Sequence, residues 1–334
     1  MPELFLLDPA QGPVTPLTGF VRQHPSVQLS TVPLYLHHSL APATRRVGIV
    51  SGGGSGHEPM HGGFVGPGML DAAVPGRVFA SPHNRQVYEA SKAVAREGGV
   101  LHLVKNYTGD KINFGIAAER LAADGIEVAR VLVDDDVATE SDETATGRRG
   151  TGATVIVEKI VSAAADRGDG LRELADLGHA VAAHSRSIAV ASGALTSPHT
   201  GQRMFELPDG ELEYGVGIHG ERAARTIARP GLEELVSRMV NDVLTSLPGE
   251  DEPVLLLVNG LGATTELELY TVFELAAREL DARGRRLDAS LVGSLVVALD
   301  MSGFSITLTE LVDDSWVELW EAPTQAPGWK GQSR

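Results

Sequence analysis

With 334 residues, 43% of them hydrophobic, and no cysteine, the chain can build two packed domains and has neither disulfides nor thiolate chemistry. Its formal net charge of −16 argues against nucleic acid or an anionic membrane surface as a partner, because both recruit basic patches. The opening MPELFLLDPAQGP has no basic leader and only a brief apolar run, so a cytoplasmic chain without signal peptide or membrane anchor is expected.

Residues 1–40 mix Pro, His and short apolar pieces and read as an arm laid against the first domain, with His24, His37 and His38 as ordinary packing or surface residues. The stretch 46–68, RVGIVSGGGSGHEPMHGGFVGPG, follows. Val47, Ile49 and Val50 read as a buried strand, and Gly52, Gly53, Gly54 and Gly56 as a turn whose backbone can approach a ligand closely. His57 and Glu58 come next, with Pro59 suited to a first helical turn, so a strand-turn-helix unit should present an imidazole, a carboxylate and backbone N–H groups. Known motifs fail here. A phosphate loop needs Gly-Lys-Ser/Thr where this chain has Gly56-His57-Glu58, and the dinucleotide fingerprint needs spaced rather than clustered glycines. His57-Glu58-Pro59-Met60-His61 matches H-E-x-x-H, but Pro59 and the adjoining Gly56, Gly62 and Gly63 break the helix that a zinc protease requires.

Residues 77–80 read as a short strand ending at Ser81-Pro82, 86–96 as a helix with Val87, Ala90 and Val94 inward, and 99–105 as the next strand, stopping before Asp110. A helix over 112–123 and a strand over 126–133 follow, closed by Asp134-Asp135-Asp136, which is either a cation site or a solvated turn. This alternation predicts a largely parallel sheet with ligands beyond the carboxyl ends of its strands, where His57, Ser81 and Asp110 would lie. Helices over 153–165 and 171–184 lead to a domain boundary between Asp166 and Ser187. The second domain repeats the pattern: a strand over 187–191, a Pro- and Gly-punctuated loop over 193–210, and a segment over 212–218 leading into His219-Gly220-Glu221. Leu235, Met239 and Val243 then line one helix face, 254–258 is a buried strand, and a Thr265/Glu268 capping box opens a helix burying Leu269, Phe273, Ala276 and Leu280. Residues 291–311 read as paired strands, and the Pro-rich tail from Ala322 to Trp329 should drape over the surface. The fold class is α/β: two α/β domains, residues 1–184 and 185–334, each a largely parallel or mixed sheet flanked by helices.

The segments GGGSGHEPMHGGFVGPGML (52–70), VFASP (78–82), LVKNYTGDKINF (103–114), GVGIHGE (215–221), LLVNGLGATTELELY (256–270) and LDMSGFSITL (299–308) run through nearly the whole chain in order. Together they resemble the substrate-binding K subunit of the dihydroxyacetone kinase family. The resemblance implies two α/β domains and a K part that binds no nucleotide itself, so ATP or ADP with Mg²⁺ is expected on a separate L-type subunit, to which a phosphotransferase-system M subunit can pass phosphate. The ending APTQAPGWK resembles that of a free-standing K subunit, and a homodimer is expected. It also implies roles. His219 would form a hemiaminal with the ketone carbonyl, and His57 would be the acid/base residue. The Gly54-Ser55-Gly56 backbone and Asp110 would bind substrate hydroxyls, and Lys105 and Ser81 fall on further binding positions.

A neutral imidazole can attack a ketone but finds no electrophile in a polyol, so a covalent histidine selects ketones by chemistry. Taken alone, His219 would be an ordinary loop histidine and Lys105 a structural ion-pair residue. His61, His83, His102, His179, His184 and His199 read as packing or solvent-facing. The chain departs from the family in GIHGERA for GIHGEPG, in VNGLGAT for VNGLGGT, and around 193–203, so a four-carbon ketose such as erythrulose is an alternative to dihydroxyacetone. A ketone-sensing transcriptional co-regulator, which needs binding but no base, is the alternative from another class.

Overall fold

The structure, a computed structural model, describes residues 4–6, 12–139, 147–222 and 225–331. The chain folds as two compact units, one made of residues 6–133, 154–180 and 318–334, the other of residues 1–5, 134–153 and 181–317. These are not the halves that one boundary at residue 184 would give, and local hydrogen bonds show why. Asp135 accepts from the Thr151 and Ala153 N–H groups at 2.7 and 3.0 Å, and its carbonyl accepts from the Ser187 N–H at 2.8 Å, which ties 134–153 to the later strands. The tail is tied to the earlier ones. Gly328 N–H donates to the Gly63 carbonyl at 2.7 Å, and Trp329 packs edge-on against Phe64 and Trp320 at centroid distances of 6.4 and 5.1 Å. The tail is therefore clamped onto the segment after His61 instead of draping over the surface.

In the unit containing residues 6–133, the strands are β1 (Gln28–Thr31), β2 (Leu34–His37), β3 (Gly48–Ser55), β4 (Ala72–Val78), β5 (Val100–Lys105) and β6 (Val128–Val133). They form one sheet in the order β1-β2-β4-β3-β5-β6, in which β4, β3, β5 and β6 run parallel and the β1/β2 hairpin is antiparallel at the edge. The expected N-terminal arm is thus a helix, α1 (Val14–Gln23), and a sheet-extending hairpin anchored by the fully buried Leu36. The glycine run is also corrected: Gly52, Gly53 and Gly54 continue the central strand instead of forming a turn. A Cβ at Gly52 would stand 2.5 Å from the Val74 carbonyl, so the strand needs glycine for close approach to β4. No α-helix follows His57; the chain takes a short 3-10 turn over Gly62–Phe64 and enters β4.

Helices α2 (Asn84–Val94) and α3 (Thr108–Ala123) cover one face, packing Val87, Ala90, Val94, Phe114 and Ala117 against Val50, Val74, Val100 and Val104. Each buried valine contributes about 1.5–3 kcal/mol. Helix α4 (Ala153–Arg167) is buried along nearly its whole length, and α5 (Leu171–Ala183) sets Gly178 against Val131 of β6. Arg45 knits the unit together, donating to Asp166 Oδ1 at 2.5 Å, Asp71 Oδ2 at 2.7 Å, and the carbonyls of Met69 and Ser162.

The other unit is a mixed sheet of β7 (Ser185–Gly193), β8 (Glu211–Tyr214), β9 (Arg225–Ala228), β10 (Val254–Gly260), β11 (Leu287–Gly293) and β12 (Ser302–Glu310), ordered β11-β10-β12-β7-β8-β9. Only β10 and β11 are parallel. Strands β11 and β12 are not partners, as the sequence suggested, but flank β10 on opposite sides. Their connection crosses the end of β10, where the Asn259 side-chain carbonyl accepts the Leu295 and Val296 N–H groups at 2.8 and 2.9 Å. Helices α6 (Leu232–Ser246) and α7 (Glu266–Ala282) pack on this sheet through Leu235, Met239, Val243, Leu269, Ala276 and Leu280. The Thr265/Glu268 capping box opens α7 as expected. Helix α8 (Asp314–Glu321) precedes the tail.

Candidate active site

His57, Ser81 and Asp110 follow the carboxyl ends of the adjacent parallel strands β3, β4 and β5. His57 is fully buried, with its ring 5.2 Å from that of Phe79. The preceding Gly56 has φ +102°, and a Cβ there would stand 2.8 Å from the Phe79 ring, so only glycine turns the chain here. Helix α3 begins earlier than the sequence suggested and places Asp110 in its first turn, where the helix dipole favours a carboxylate. Asp110 is 3% exposed, and its buried Oδ1 has no hydrogen-bond partner among the described residues. Ser81 borders the same turn: a Cβ on Gly109 would lie 2.6 Å from the Ser81 hydroxyl. In the Gly54-Ser55-Gly56 segment, the Ser55 hydroxyl donates to the Gly76 carbonyl at 2.8 Å and the Gly56 N–H to Glu58 at 2.9 Å, so these groups already have protein partners.

Lys105, at the end of β5, is wholly buried and donates to His61 Nε2 at 2.7 Å. Among the described residues that is its one hydrogen-bond acceptor, although an ammonium carries three N–H donors. Burial pushes the Lys105 pKa down, opposed by the carboxylates of Asp110 and Glu158. His61, expected to be a packing or solvent-facing residue, is 5% exposed with both ring nitrogens engaged, Nδ1 lying 2.5 Å from Glu158 Oε1. Glu158 was not singled out from sequence. Its signal was a carboxylate inside the apolar run ATVIVEKIVSAAA of α4.

His219 belongs to the other unit, in the turn after β8, 18% of its side chain exposed. Its Nδ1 is 2.9 Å from Glu221 Oε1, and its backbone N–H donates to Glu221 Oε2 at 3.0 Å. Burial raises the Glu221 pKa, but hydrogen bonding and charge from His219, its backbone N–H and Arg149 outweigh this and hold it at about 2. With a carboxylate at Nδ1, the neutral ring carries its proton there and its lone pair on Nε2. Arg149 steadies the turn, donating to the Gly215 carbonyl at 3.0 Å and pairing with Asp136 at 2.6 Å. From sequence, Glu221 was named only as the residue two places after His219 and Asp136 only as part of an acidic strand-end turn, and neither they nor Arg149 were given this role. The departure at Arg222 puts its guanidinium on the buried Glu213, whereas Ala223 lies outside the described residues. Around 193–203, Thr196 and Arg203 bind Asp300.

The strand-end acids are engaged by protein groups: Asp134 by Arg148, Asp135 by Thr151 and Ala153, and Asp136 by Arg149. Among the described residues no cluster of three or more His, Asp or Glu side chains could hold a metal ion. The glycine run gives β3 ladder pairs with both β4 and β5, which is not the shape of a phosphate loop. No helix among the described residues is long and apolar enough to cross a membrane.

A Dak1 domain family model matches residues 18–328. The chain is 40% identical, over 93% of its length and 94% of the relative's, to the PEP-dependent dihydroxyacetone kinase, dihydroxyacetone-binding subunit DhaK of Escherichia coli (strain K12). Among solved structures it resembles the dihydroxyacetone kinase operon co-activator Dha-DhaQ, with TM-score 0.90 and 31% identity over 96% of this chain and 98% of that one. It also resembles the dihydroxyacetone kinase from C. freundii in complex with AMP-PNP and Mg²⁺, with TM-score 0.88 and 32% identity, covering 98% of this chain but 61% of that one.

Proposed function

The chain belongs to the Dak1 domain family, and from that premise we propose that it is the ketose-binding subunit of a dihydroxyacetone kinase, working with a separate nucleotide-carrying subunit. The Nε2 lone pair of His219 adds to the ketone carbon as the C=O π bond opens onto oxygen; that oxygen takes up a proton while the ring, cationic on addition, gives up its Nδ1 proton toward Glu221, so one N–H is exchanged for one O–H in a neutral hemiaminal. His57 receives the proton of the ketose hydroxyl as that oxygen takes the terminal phosphoryl group of a nucleotide and the nucleoside diphosphate leaves; the partner would hold that nucleotide with Mg²⁺, which would stabilise the developing charge. Asp110, Lys105, Ser81 and the Gly54-Ser55-Gly56 backbone hold the hydroxyls.

The observation that carries this reading is the buried Lys105 ammonium, which among the described residues has N–H donors to spare, set at the same sheet edge as an Asp110 Oδ1 that has no partner among them. A hydroxyl both donates and accepts, so a small polyhydroxy ketone satisfies a buried donor and a buried acceptor that would otherwise each cost about 1–3 kcal/mol. Mixing the protein with an L-type subunit, its phosphoryl source and dihydroxyacetone should give dihydroxyacetone phosphate. Absence of both turnover and ketose binding would overturn the proposal.

The likeness to an operon co-activator favours a second reading, a ketone sensor. The two separate at His57, which turnover requires and sensing does not. Comparing dihydroxyacetone with erythrulose in the same assay decides the chain length of the ketose.

A further inference from the structure

We infer that His61 and Glu158 are positioning residues for Lys105: the carboxylate fixes the imidazole in the tautomer whose Nε2 receives one N–H of the ammonium, so that the remaining N–H groups are held for a ketose hydroxyl. This rests on the reading of Lys105 as a ketose-binding group.

Ser51, His61, Lys105 and Glu158 are 0, 5, 0 and 0% exposed, so their polar groups must satisfy one another. Lys105 can only donate to His61 Nε2, 2.7 Å away, and Glu158 can only accept from Nδ1, 2.5 Å away, when ionised. Ser51 fixes the same tautomer independently. Its hydroxyl donates to the Leu103 carbonyl at 2.8 Å, so its oxygen, 3.0 Å from Nδ1, is an acceptor for that N–H. The opposite tautomer would set an N–H against an ammonium and a lone pair against a carboxylate. Burial first, then the neighbouring Lys105 charge, lower the His61 pKa and keep the ring neutral despite Glu158 and Asp110.

Gly53 shows that the backbone is shaped around this contact. A Cβ there would collide with Lys105 Nζ and sit 3.3 Å from His61 Nε2. Packing alone does not explain Glu158 either, since its Oε2 is buried without a partner among the described residues and an apolar side chain would avoid that desolvation. The charges facing Lys105 are Asp110 from α3 and Glu158 from α4, with the neutral His61 from the loop after β3. Without Glu158, one of two anions that keep the ammonium protonated is lost.

The test is calorimetric binding of dihydroxyacetone by the full chain at pH 7 and pH 9, for wild type, Glu158→Gln, Lys105→Met and the double variant. Glu158→Gln should weaken binding about tenfold at pH 7, the scale of a lost charge-assisted hydrogen bond, and further at pH 9. In the Lys105→Met background it should change nothing more, because its effect passes through the ammonium. Equal losses at both pH values and in both backgrounds, or no loss, would overturn the inference. His61→Gln, which severs the link while keeping an acceptor near Lys105, answers the same question if Glu158→Gln does not fold. A wild type that binds no ketose overturns the functional reading and this inference with it, whereas wild-type binding with unaltered variants overturns this inference alone.

Discussion

His61 and His219 each bring Nδ1 to a glutamate, at 2.5 and 2.9 Å, yet the two regions use the pair in opposite ways. The His61–Glu158 side chains are 3% and 0% exposed, and Lys105 occupies Nε2, so the ring can only transmit order to the ammonium. The His219–Glu221 side chains are 18% and 40% exposed, on a turn, and the carboxylate directs the lone pair to Nε2, the atom needed for attack on a carbonyl. A carboxylate sets the tautomer in both. At His61 the other nitrogen is taken by the ammonium, and at His219 the proposed capture of the ketose uses it.

The largest effect should separate chemistry from binding. His57→Asn is expected to lower turnover by about 10²- to 10⁴-fold, the usual weight of a general base, while ketose binding persists. Steady-state kinetics beside calorimetry check this, and an unaltered turnover would remove His57 from the role of base. The buried region should break hardest at Arg45. Arg45→Met leaves the buried Asp71 with Arg96 as its remaining cation and strips the partly exposed Asp166 of its guanidinium, and should cost about 3 kcal/mol in urea unfolding, the low end for a broken buried pair. Turnover at a permissive temperature should change little.

Glu221→Gln addresses the exposed pair. It should slow covalent capture of the ketose about 10- to 100-fold, a charge-assisted bond's worth, in stopped-flow binding. Its effect on stability is small, about 0–1 kcal/mol, because the pair is partly solvated. The folded pKa of about 2 lies below the ordinary 4.5, so that contribution is complete above pH 4.5 and disappears as pH falls through about 2. Melting temperatures of wild type and Glu221→Gln should therefore converge in acid. The smallest expected effect lies outside both regions: Thr265→Ala removes the α7 cap and should cost about 1 kcal/mol in the same unfolding assay.

The glycine run was legible as a place where backbone must be bare, but not why. The sequence suggested a turn cradling a ligand, whereas Gly52 makes room for β4 and Gly53 for the Lys105 ammonium, and neither neighbour is close in sequence. Glu158 escaped notice for the same reason: it lies 97 residues from His61, and a lone carboxylate in an apolar helix says nothing about what it meets. Short-range signals fared better. The capping box at Thr265, the α6 stripe of Leu235, Met239 and Val243, and the strand at 254–258 were all readable from spacing. Strand partnership was not, because β11 and β12 are each matched to β10 by pairings that periodicity does not encode. The β1/β2 hairpin was missed because four-residue strands give too little alternation to see.

Covalent capture of the ketose by His219, as proposed, is open to a decisive check by isotope-edited NMR. Protein labelled with ¹⁵N in its histidine rings should be mixed with dihydroxyacetone carrying ¹³C at the carbonyl. A tetrahedral carbon with one-bond coupling to a ring nitrogen, absent in His219→Gln, is the expected result. Uncoupled ketone and hydrate signals alone, or a coupling that survives in His219→Gln, would contradict the account.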